Sequence, residues 1–330
     1  MSSPPVIEAR DLTRHYGATV GLEALNLTVD PAEVFGFLGP NGSGKTTTIR
    51  LLLDLIRPTR GKAFLFGVPT GSPAIHARIG YLPGELALDG RMTGHQTLRF
   101  LHSLRVGPED GRTLRHREEL CHRLGLGEED LKRRAREYSR GMKQKLGLVA
   151  AFQHSPDLLI LDEPTSGLDP LVREVIFQLM AEARDRGATV FHSSHVLSEV
   201  DRTCSRVGIL RDGQLVSLLS VQDVRATSVR RMVAHFSGDP PLAELGLPGV
   251  TVEEVDGERV ILQVSGLIRE LLYVLAKHGV HHLSFPEAGL EDAFRTFYRK
   301  DTEGQLSPAP NGGGAPDEGS DDDDGDEVQR

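Results

Sequence analysis

The feature that most constrains the fold of this chain is a glycine-rich turn between an apolar run and a helical one. Residues 34–39, VFGFLG, predict a buried strand that ends in glycine, and residues 46–56, TTTIRLLLDLI, predict a helix that the segment RPTRG ends. Glycines at 39, 42 and 44 let the backbone curl where other residues would be strained. Further strands and helices alternate along the chain, so we expect an α/β domain with a mainly parallel sheet.

The turn itself fits a phosphate-binding loop. Its sequence, GPNGSGKTT, matches the pattern G-x-x-x-x-G-K-[ST], in which successive N–H groups and the N-terminus of the next helix face one anion. We expect Lys45 to reach the β- and γ-phosphates of a nucleotide and the Thr46 hydroxyl to ligate Mg²⁺. The alternative is a glycine-rich strand-to-helix turn that binds nothing. The predicted nucleotide-binding residues of the loop are Gly39, Pro40, Asn41, Gly42, Ser43, Gly44, Lys45, Thr46 and Thr47.

A second apolar run carries two acidic residues at its end. The segment LLILDEPTSGLD places Asp162 and then Glu163 at the carboxyl end of a predicted strand, where ligands bind in open α/β sheets. Asp162 is expected to hold Mg²⁺, directly or through water, and Glu163 to position and polarise the attacking water for hydrolysis. An ordinary acidic strand end is the alternative.

A histidine near the end of a later strand is a further candidate. His195, in FHSSH, is in a position to hydrogen-bond a γ-phosphate. His192 lies two residues earlier, and a lone histidine after a strand is more often structural, so the residues alone do not choose between the two.

The remaining pattern divides the chain into an α/β part with a helical insert and a smaller part. Residues 90–155 predict helices, the first of them opening on a capping box of Thr93 and Gln96. After about residue 222 the order becomes β, β-hairpin, α, β, α, which is typical of a small α+β module. Further predicted strands are residues 63–67, 158–164, 189–194 and 206–217, the last a hairpin that turns at Asp212-Gly213. The predicted domains are residues 1–220, with the helical insert at 90–155, then 221–300, then a tail at 301–330.

Charge and composition restrict the function. The net charge of −9 comes from the tail, where ten acids and one base leave 37 acids and 37 bases among residues 1–300. A balanced folded part argues against a nucleic-acid-binding surface, and the Pro-, Gly- and Asp-rich tail is predicted to be disordered. Two distant cysteines, Cys121 and Cys204, indicate a reducing compartment without disulfides. Because the sequence has neither a bilayer-spanning apolar run nor a signal peptide, we expect a cytoplasmic protein.

Four motifs in this order resemble the ATP-binding subunit of ABC transporters. They are GPNGSGKTT, YSRGMKQ, LLILDEPTSGLD and FHSSH, and the resemblance covers roughly residues 5–217. It implies the P-loop NTPase cassette fold with an antiparallel β subdomain and a helical insert, and it implies ATP and Mg²⁺ as cofactors. In this family two cassettes clasp two ATP molecules head to tail. Because the chain has one phosphate loop and one signature motif, its partner is expected to be a second chain, in a homodimer.

The resemblance also assigns roles to individual residues. Ser139 and Gly141 of the signature motif would cap the γ-phosphate held by the partner, and Asp169, at the end of the D-loop (Ser166–Asp169), would lie at the dimer interface. His195 would be the switch histidine. Tyr16, in LTRHYG, would stack on adenine, although an ordinary half-buried tyrosine at a strand end is the alternative.

The sequence departs from the family at two places. The usual signature Leu-Ser-Gly-Gly-Gln is here YSRGM, so Arg140 either adds a charge near the partner's phosphates or faces solvent. Gly84 stands where the Q-loop usually has glutamine, and it has no side chain that ligates Mg²⁺. Glu85 next to it is the candidate replacement.

The small C-terminal module points to one branch of the family. The segment EAGLEDAFRTFYRK resembles the terminal helix of the accessory domain in drug- and antibiotic-export ATPase subunits of the ABC-2 type, although Phe294, Phe297 and Tyr298 fit a helix core equally well. The resemblance implies a peripheral ATPase on the cytoplasmic face of the cell membrane that powers export through a separate multi-span permease, without a nucleic acid partner. The alternatives are a soluble non-transport ABC ATPase and an ATP-gated regulatory cassette.

Overall fold

A computed structural model describes residues 4–106, 110–227, 230–265 and 268–285. The strands are β1 (Ile7–Tyr16), β2 (Thr19–Val29), β3 (Val34–Leu38), β4 (Arg60–Leu65), β5 (Val68–Pro69), β6 (Ile79–Leu82), β7 (Leu158–Asp162), β8 (Thr189–Ser194), β9 (Arg206–Arg211), β10 (Gln214–Ser220), β11 (Arg230–Phe236), β12 (Val250–Asp256), β13 (Arg259–Val264) and β14 (Val280–Ser284). The α-helices are α1 (Lys45–Leu52), α2 (Gly94–Val106), α3 (Gly111–Arg123), α4 (Glu128–Lys132), α5 (Arg140–Phe152), α6 (Pro170–Asp185), α7 (Leu197–Thr203), α8 (Val221–Thr227) and α9 (Arg269–Lys277).

The central sheet has the strand order β10-β9-β3-β8-β7-β6. Strands β9, β3, β8, β7 and β6 run parallel, and only β10 pairs antiparallel, through the hairpin that turns at Asp212 and Gly213. Every residue of β3, β7 and β8 is buried, as expected for parallel strands covered on both faces. The prediction of a mainly parallel sheet is confirmed, and because these strands share a direction, their carboxyl ends meet at one edge.

Aromatic side chains fill the core beside this sheet. The ring of Phe191 in β8 stacks on Phe35 of β3 with a centroid distance of 5.7 Å, and Phe37 lies 5.3 Å from the same ring. All three side chains are fully buried. This packing fixes β3, which leads into the glycine-rich turn, against its neighbour β8.

A second sheet, with the order β2-β1-β4-β5, is antiparallel throughout. The strand predicted at residues 63–67 is β4 and belongs to this sheet, because its residues pair with Ile7–Arg10 of β1 and not with the parallel strands. The antiparallel β subdomain implied by the family resemblance is therefore present, and Tyr16 lies at the end of its first strand.

The helical insert comprises α2 to α5. Its predicted capping box forms: the Thr93 amide donates to Gln96 Oε1 at 2.9 Å, and the Gln96 amide donates to Thr93 Oγ1 at 3.2 Å. The insert ends with α5, which begins at Arg140 and whose later turns are buried and pack on β6. The start of α5 is therefore carried on an element that packs directly on the central sheet.

A third sheet, β12-β13-β11-β14, packs one face on α9 around Met232, Phe236, Leu262 and Leu271. This arrangement agrees with the predicted β, β-hairpin, α, β order of the small module. The last predicted helix, with Phe294, Phe297 and Tyr298, and the acidic tail at 301–330 lie outside the described residues. Within the described parts, no helix is both long and apolar enough to cross a membrane.

Candidate nucleotide-binding site

The glycine-rich loop leaves β3 at Leu38 and enters α1 at Lys45. Gly42 and Gly44 have φ angles of +84° and +106°, values that L side chains adopt only with strain. A Cβ on Gly39 would overlap the carbonyl oxygen of Leu210, so this position also requires glycine. Sequence and backbone therefore agree that the loop must be built from glycine at three places.

The side chains of the loop fit an anion. The Lys45 side chain is buried, and its Nζ donates to the carbonyl oxygens of Gly39 at 2.7 Å and Pro40 at 3.1 Å. The Ser43 hydroxyl is buried and finds no partner among the described residues, and the space beside Gly42 is open. These groups, the loop amides and the N-terminus of α1 supply the donors that a phosphate group needs.

The carboxylate of Asp162 connects β7 to the start of α1 and to β8. Thr46 Oγ1, at the start of α1, donates to Asp162 Oδ2 at 2.9 Å, and the Ser193 hydroxyl at the end of β8 donates to Asp162 Oδ1. A hydroxyl and a carboxylate side by side form the hard-oxygen donor set that Mg²⁺ prefers. The residues present therefore fit a magnesium ion held between Thr46 and Asp162.

Glu163 extends from the same strand end toward Lys45 and His195. Its φ is +52°, a strained value for a non-glycine residue, and its amide donates to Ser193 Oγ at 3.1 Å. Its Oε2 lies 2.6 Å from His195 Nδ1, and its Oε1 lies 3.6 Å from Lys45 Nζ. The strained backbone therefore holds a carboxylate between the lysine of the phosphate loop and a histidine.

A cleft of about 580 Å³ contains these groups. The sequence-predicted residues that line it are Asn41, Gly42, Gly44, Lys45, Thr46, Thr47, Glu85, Asp162, Glu163 and His195. Other lining residues include Thr19, Val20 and Gly21 of β2, together with Tyr81, Gly84, Arg140 and Ser166. The structure thus brings the phosphate loop, both acids and the histidine into a single open site.

Seven predicted residues lie outside the lining of this cleft, and three of them, Gly39, Pro40 and Ser43, belong to the phosphate loop itself. Tyr16 is exposed, packs against Gly21 and carries the Arg14 guanidinium 4.7 Å from its ring centroid, so its stacking on adenine stays a prediction. Ser139 caps α5 by accepting a hydrogen bond from the Met142 amide at 3.2 Å. The remaining two, Gly141 and Asp169, are likewise not among the lining residues.

Two supporting residues, Ser193 and Gln144, lie inside the motifs FHSSH and YSRGMKQ, but the motifs alone give them no role. Ser193 bonds both Asp162 and the Glu163 amide, and buried Gln144 on α5 donates to the carbonyl oxygens of Glu163 and Pro164, each at 3.1 Å. The register pairs Asp162 with Ser193 directly, so the signal for Ser193 was the adjacency of β7 and β8. That adjacency becomes visible only when the strand order is known.

The structure separates the two candidate histidines. His195 is 51% exposed and faces Glu163, whereas His192 is 1% exposed. The ring of His192 contacts Thr203 Oγ1 at 3.2 Å and Cys204 Sγ at 3.0 Å, on the side of β8 that α7 covers. Burial lowers the pKa of His192 to about 4. His192 is thus a core residue, and His195 is the histidine of the site.

Comparison with known proteins identifies the family. Residues 22–166 match the family model described as ABC transporter. The chain is 32% identical over 299 residues to the bacitracin transport ATP-binding protein BcrA of Enterococcus faecalis. The aligned region covers 88% of this chain and 95% of that protein. This chain belongs to the ATP-binding proteins of ABC transporters. As such a cassette, it binds and hydrolyses ATP.

Other relatives and solved structures agree. The cassette is 32% identical over 280 residues to the linearmycin resistance ATP-binding protein LnrL of Bacillus subtilis, covering 84% of this chain and 86% of that protein. A structure described as the ATP-binding subunit of an ABC transporter matches with a TM-score of 0.62 and 32% identity, over 67% of this chain and 92% of that one. The cassette MJ0796 matches at 23% identity and a TM-score of 0.60, over 65% and 98% of the two chains, which supports the fold.

The buried histidine predicts a pH dependence of stability. An unfolded chain binds a proton at His192 with a pKa near 6.5, whereas the folded chain binds it only near 4. As the pH falls through this window the unfolded state gains protons first, so the free energy of unfolding decreases, by about 3 kcal/mol at most. We expect urea unfolding between pH about 7 and about 4.5 to show a smaller decrease for His192→Asn than for the unsubstituted protein.

An exposed histidine provides the control for this measurement. His76→Asn is expected to keep the pH dependence of the unsubstituted protein, since the His76 side chain is in water in both states. If His192→Asn and His76→Asn lose stability with the same slope, the assignment of a neutral buried His192 is wrong.

Proposed function

We propose that this chain is the Mg-ATP-hydrolysing subunit of an exporter, and that two copies close on two ATP molecules to drive a separate multi-span permease. The observation that carries the proposal is the convergence of Lys45, Glu163 and His195 on one cleft with the phosphate loop. A protein that only binds ATP needs the phosphate loop, but it does not need a strained residue such as Glu163 whose carboxylate lies beside that loop. This convergence favours hydrolysis over an ATP-gated regulatory role.

Each residue of the cleft has a separate task in this proposal. Lys45 and the loop amides hold and neutralise the phosphates, while Glu163 orients the attacking water and accepts its proton. His195 hydrogen-bonds the Glu163 carboxylate and thereby fixes its direction. Thr46 and Asp162 would hold Mg²⁺, which would supply neutralising charge to the phosphates when bound. Ser193 keeps Asp162 and the Glu163 backbone in register.

The direction of transport is proposed from the relatives. BcrA is named for bacitracin transport, LnrL for linearmycin resistance, and YbhF of Escherichia coli, 34% identical over 229 residues, as a probable multidrug transporter subunit. The BcrA and LnrL matches span 88% and 84% of this chain and so extend beyond the cassette. We accordingly propose a cassette at 1–220, an accessory domain at 221–300 and a solvated tail at 301–330, on the cytoplasmic face of the membrane and without a nucleic acid partner.

Glu163→Gln tests hydrolysis. Because the amide does not accept the proton from water, we expect phosphate release to fall by about 10² to 10⁴ while ATP affinity, set by the loop, stays nearly unchanged. Phosphate release and calorimetric ATP binding measure the two effects. The matched control is Glu270→Gln on α9, an exposed glutamate remote in sequence from the motifs, which should leave both unchanged. Normal turnover by Glu163→Gln would remove Glu163 from the mechanism.

The same variant tests the transport partner. Affinity purification of Glu163→Gln with Mg-ATP from detergent-solubilised membranes should recover a multi-span membrane protein, identified by mass spectrometry. Recovery of ribosomes or of a DNA repair complex in its place would favour the non-transport alternative and overturn the exporter proposal.

The dimer is supported by the position of Ser139. The residue lies at an exposed helix start and is absent from the lining of this chain's own cleft, so its hydroxyl is available to a second cassette. The chain has one phosphate loop but a second helix start that is suited to anions. This second start has a purpose if the signature motif binds the nucleotide of another molecule.

Ser139→Asp is designed to test this arrangement without uncapping α5. Aspartate caps helices as well as serine does, but its charge repels a phosphate. We expect ATP binding by the monomer to stay nearly intact and cooperative hydrolysis, measured as the Hill coefficient, to be lost. The control is the reverse exchange Asp110→Ser at the N-cap of α3, which should change neither. An equal loss of binding and cooperativity would mean that Ser139 serves its own chain.

Gly84 of the Q-loop lies close to the Asp162 carboxylate. A Cβ at Gly84 would stand 3.1 Å from Asp162 Oδ2 and 3.3 Å from its Cγ, so a side chain there would crowd the carboxylate proposed for Mg²⁺. The exposed side chain of Glu85 lines the same cleft. We therefore propose that Glu85 supplies the oxygen that glutamine supplies elsewhere in the family.

Glu85→Ala is expected to lower ATPase activity and to raise the Mg²⁺ concentration needed for half-maximal turnover, since one oxygen ligand is replaced by water. Glu85→Gln, which keeps an oxygen at that place, should lose less. A Mg²⁺ titration of steady-state phosphate release measures both. Unchanged turnover of Glu85→Ala at saturating Mg²⁺ would contradict the assignment.

A further inference from the structure

We propose that Arg140 is a positioning residue that fastens the signature helix α5 to the D-loop of its own chain. The inference rests on the proposed function, because it explains how the signature motif and the catalytic strand end of one cassette move together. It replaces the two expectations for Arg140, a charge near the partner's phosphates or a side chain in solvent, with a defined contact within the chain.

The contact is a hydrogen bond supported by packing. Arg140 Nη2 donates to Ser166 Oγ at 2.9 Å. Next to it, Gly167 has a φ of +73°, and a Cβ there would lie 3.4 Å from Arg140 Nε and 3.5 Å from its Cδ. The stem of the arginine thus lies along a glycine while its tip bonds the preceding serine. A long side chain with a planar donor group suits this arrangement.

Residues on one face of α5 make a second connection. Gln144, four positions after Arg140, shares its helix face and donates to the carbonyl oxygens of Glu163 and Pro164. The first turn of the helix also approaches the D-loop closely, because a Cβ on Gly141 would lie 3.3 Å from the Gly167 carbonyl oxygen. One helix face therefore holds the segment from Glu163 to Gly167 at both ends.

The D-loop is constrained beyond this segment as well. Asp169 caps α6 by accepting from the Val172 amide at 3.0 Å, and Arg173 Nε donates to the Leu168 carbonyl oxygen at 3.0 Å. Ser166 and Gly167 lie between the Gln144 contact and these bonds, and the only side-chain hydrogen bond that the described residues make to the Ser166 hydroxyl comes from Arg140. Loss of Arg140 would remove the side-chain contact to the middle of the loop and leave the backbone bonds from Ser166 N–H to the Glu163 carbonyl oxygen and from Leu168 N–H to the Thr165 carbonyl oxygen.

The charge of Arg140 does not explain the contact. None of the carboxylates in the described residues lies within ion-pair distance of its guanidinium, which rests on a neutral hydroxyl at the rim of the cleft. A residue selected for charge alone would need no fixed partner. The geometry instead links Ser139 and Gly141, which flank Arg140, to the turn that carries Glu163.

A double-mutant cycle of Arg140→Gln and Ser166→Ala tests the proposal through kcat, KM and the Hill coefficient for ATP. If Arg140 acts through Ser166, each single variant should lower kcat by about fivefold or more with little change in KM, and the double variant should be no slower than the slower single one. Multiplied effects would mean that Arg140 acts independently, on a partner's phosphate, and would overturn the proposal. A rise in KM at unchanged kcat would overturn it too.

Two further arginine variants separate position from charge. Arg140→Lys keeps the charge but not the planar donor group, so it should behave like Arg140→Gln; full activity of Arg140→Lys would overturn the proposal. Arg134→Gln removes an exposed arginine of the same insert and should leave kcat and cooperativity unchanged. Thermal unfolding of each variant verifies that the fold is retained.

Hydrogen exchange without nucleotide distinguishes failure of this inference from failure of the proposed function. Peptides that cover residues 163–169 should exchange faster in Arg140→Gln than in Arg134→Gln, whether or not the protein dimerises or hydrolyses ATP. Equal exchange in the two variants would overturn the inference and leave the ATPase proposal standing. If Arg140→Gln exchanges faster but the unsubstituted protein shows no ATPase activity, the inference stands and the ATPase proposal is wrong.

Discussion

The site depends on one carboxylate, that of Asp162 at the end of β7, which is hydrogen-bonded to the start of α1 and to β8. Its two oxygens accept hydrogen bonds from Thr46, in the first turn of α1, and from Ser193, the last but one residue of β8, while Asp162 itself ends β7. Strands β3, β8 and β7 are adjacent in that order and run parallel, so their carboxyl ends meet. The glycine-rich loop, the strained Glu163 and the cleft between them all take their positions from this junction.

The motifs that the sequence revealed are those whose residues are neighbours in the chain. The phosphate loop, the strand at 189–194 and the capping box of Thr93 and Gln96 are local, so spacing and residue type were sufficient. The Ser193 bond to Asp162 joins residues 31 positions apart, and the Thr46 bond spans 116. Such contacts follow from strand order, which local periodicity does not encode.

Burial decided what residue type left open. Two histidines close together at the end of β8 are equivalent in a motif, but the pleat of the strand turns His192 toward α7 and the turn after Ser194 carries His195 to the cleft. The strand predicted at residues 63–67 is a similar case, because an apolar run predicts a strand but not the sheet to which the strand belongs. At Gly84 the sequence showed only a missing side chain, whereas the structure shows a carboxylate oxygen of Asp162 3.1 Å from where a Cβ would be.

The helix that carries Ser139 and Gly141 also holds the backbone of Glu163, the residue proposed to be catalytic. Gln144 fixes the backbone of Glu163 from the buried part of α5, and Arg140 reaches Ser166 from its exposed start. In the proposed dimer, a phosphate of the partner would contact Ser139 and Gly141 on either side of Arg140. A shift of that helix start would then pass directly to the D-loop and to Glu163. Cooperative hydrolysis needs a connection between the nucleotide of one molecule and the catalytic residue of the other. In the proposed dimer, the contacts of Arg140 and Gln144 would provide that connection.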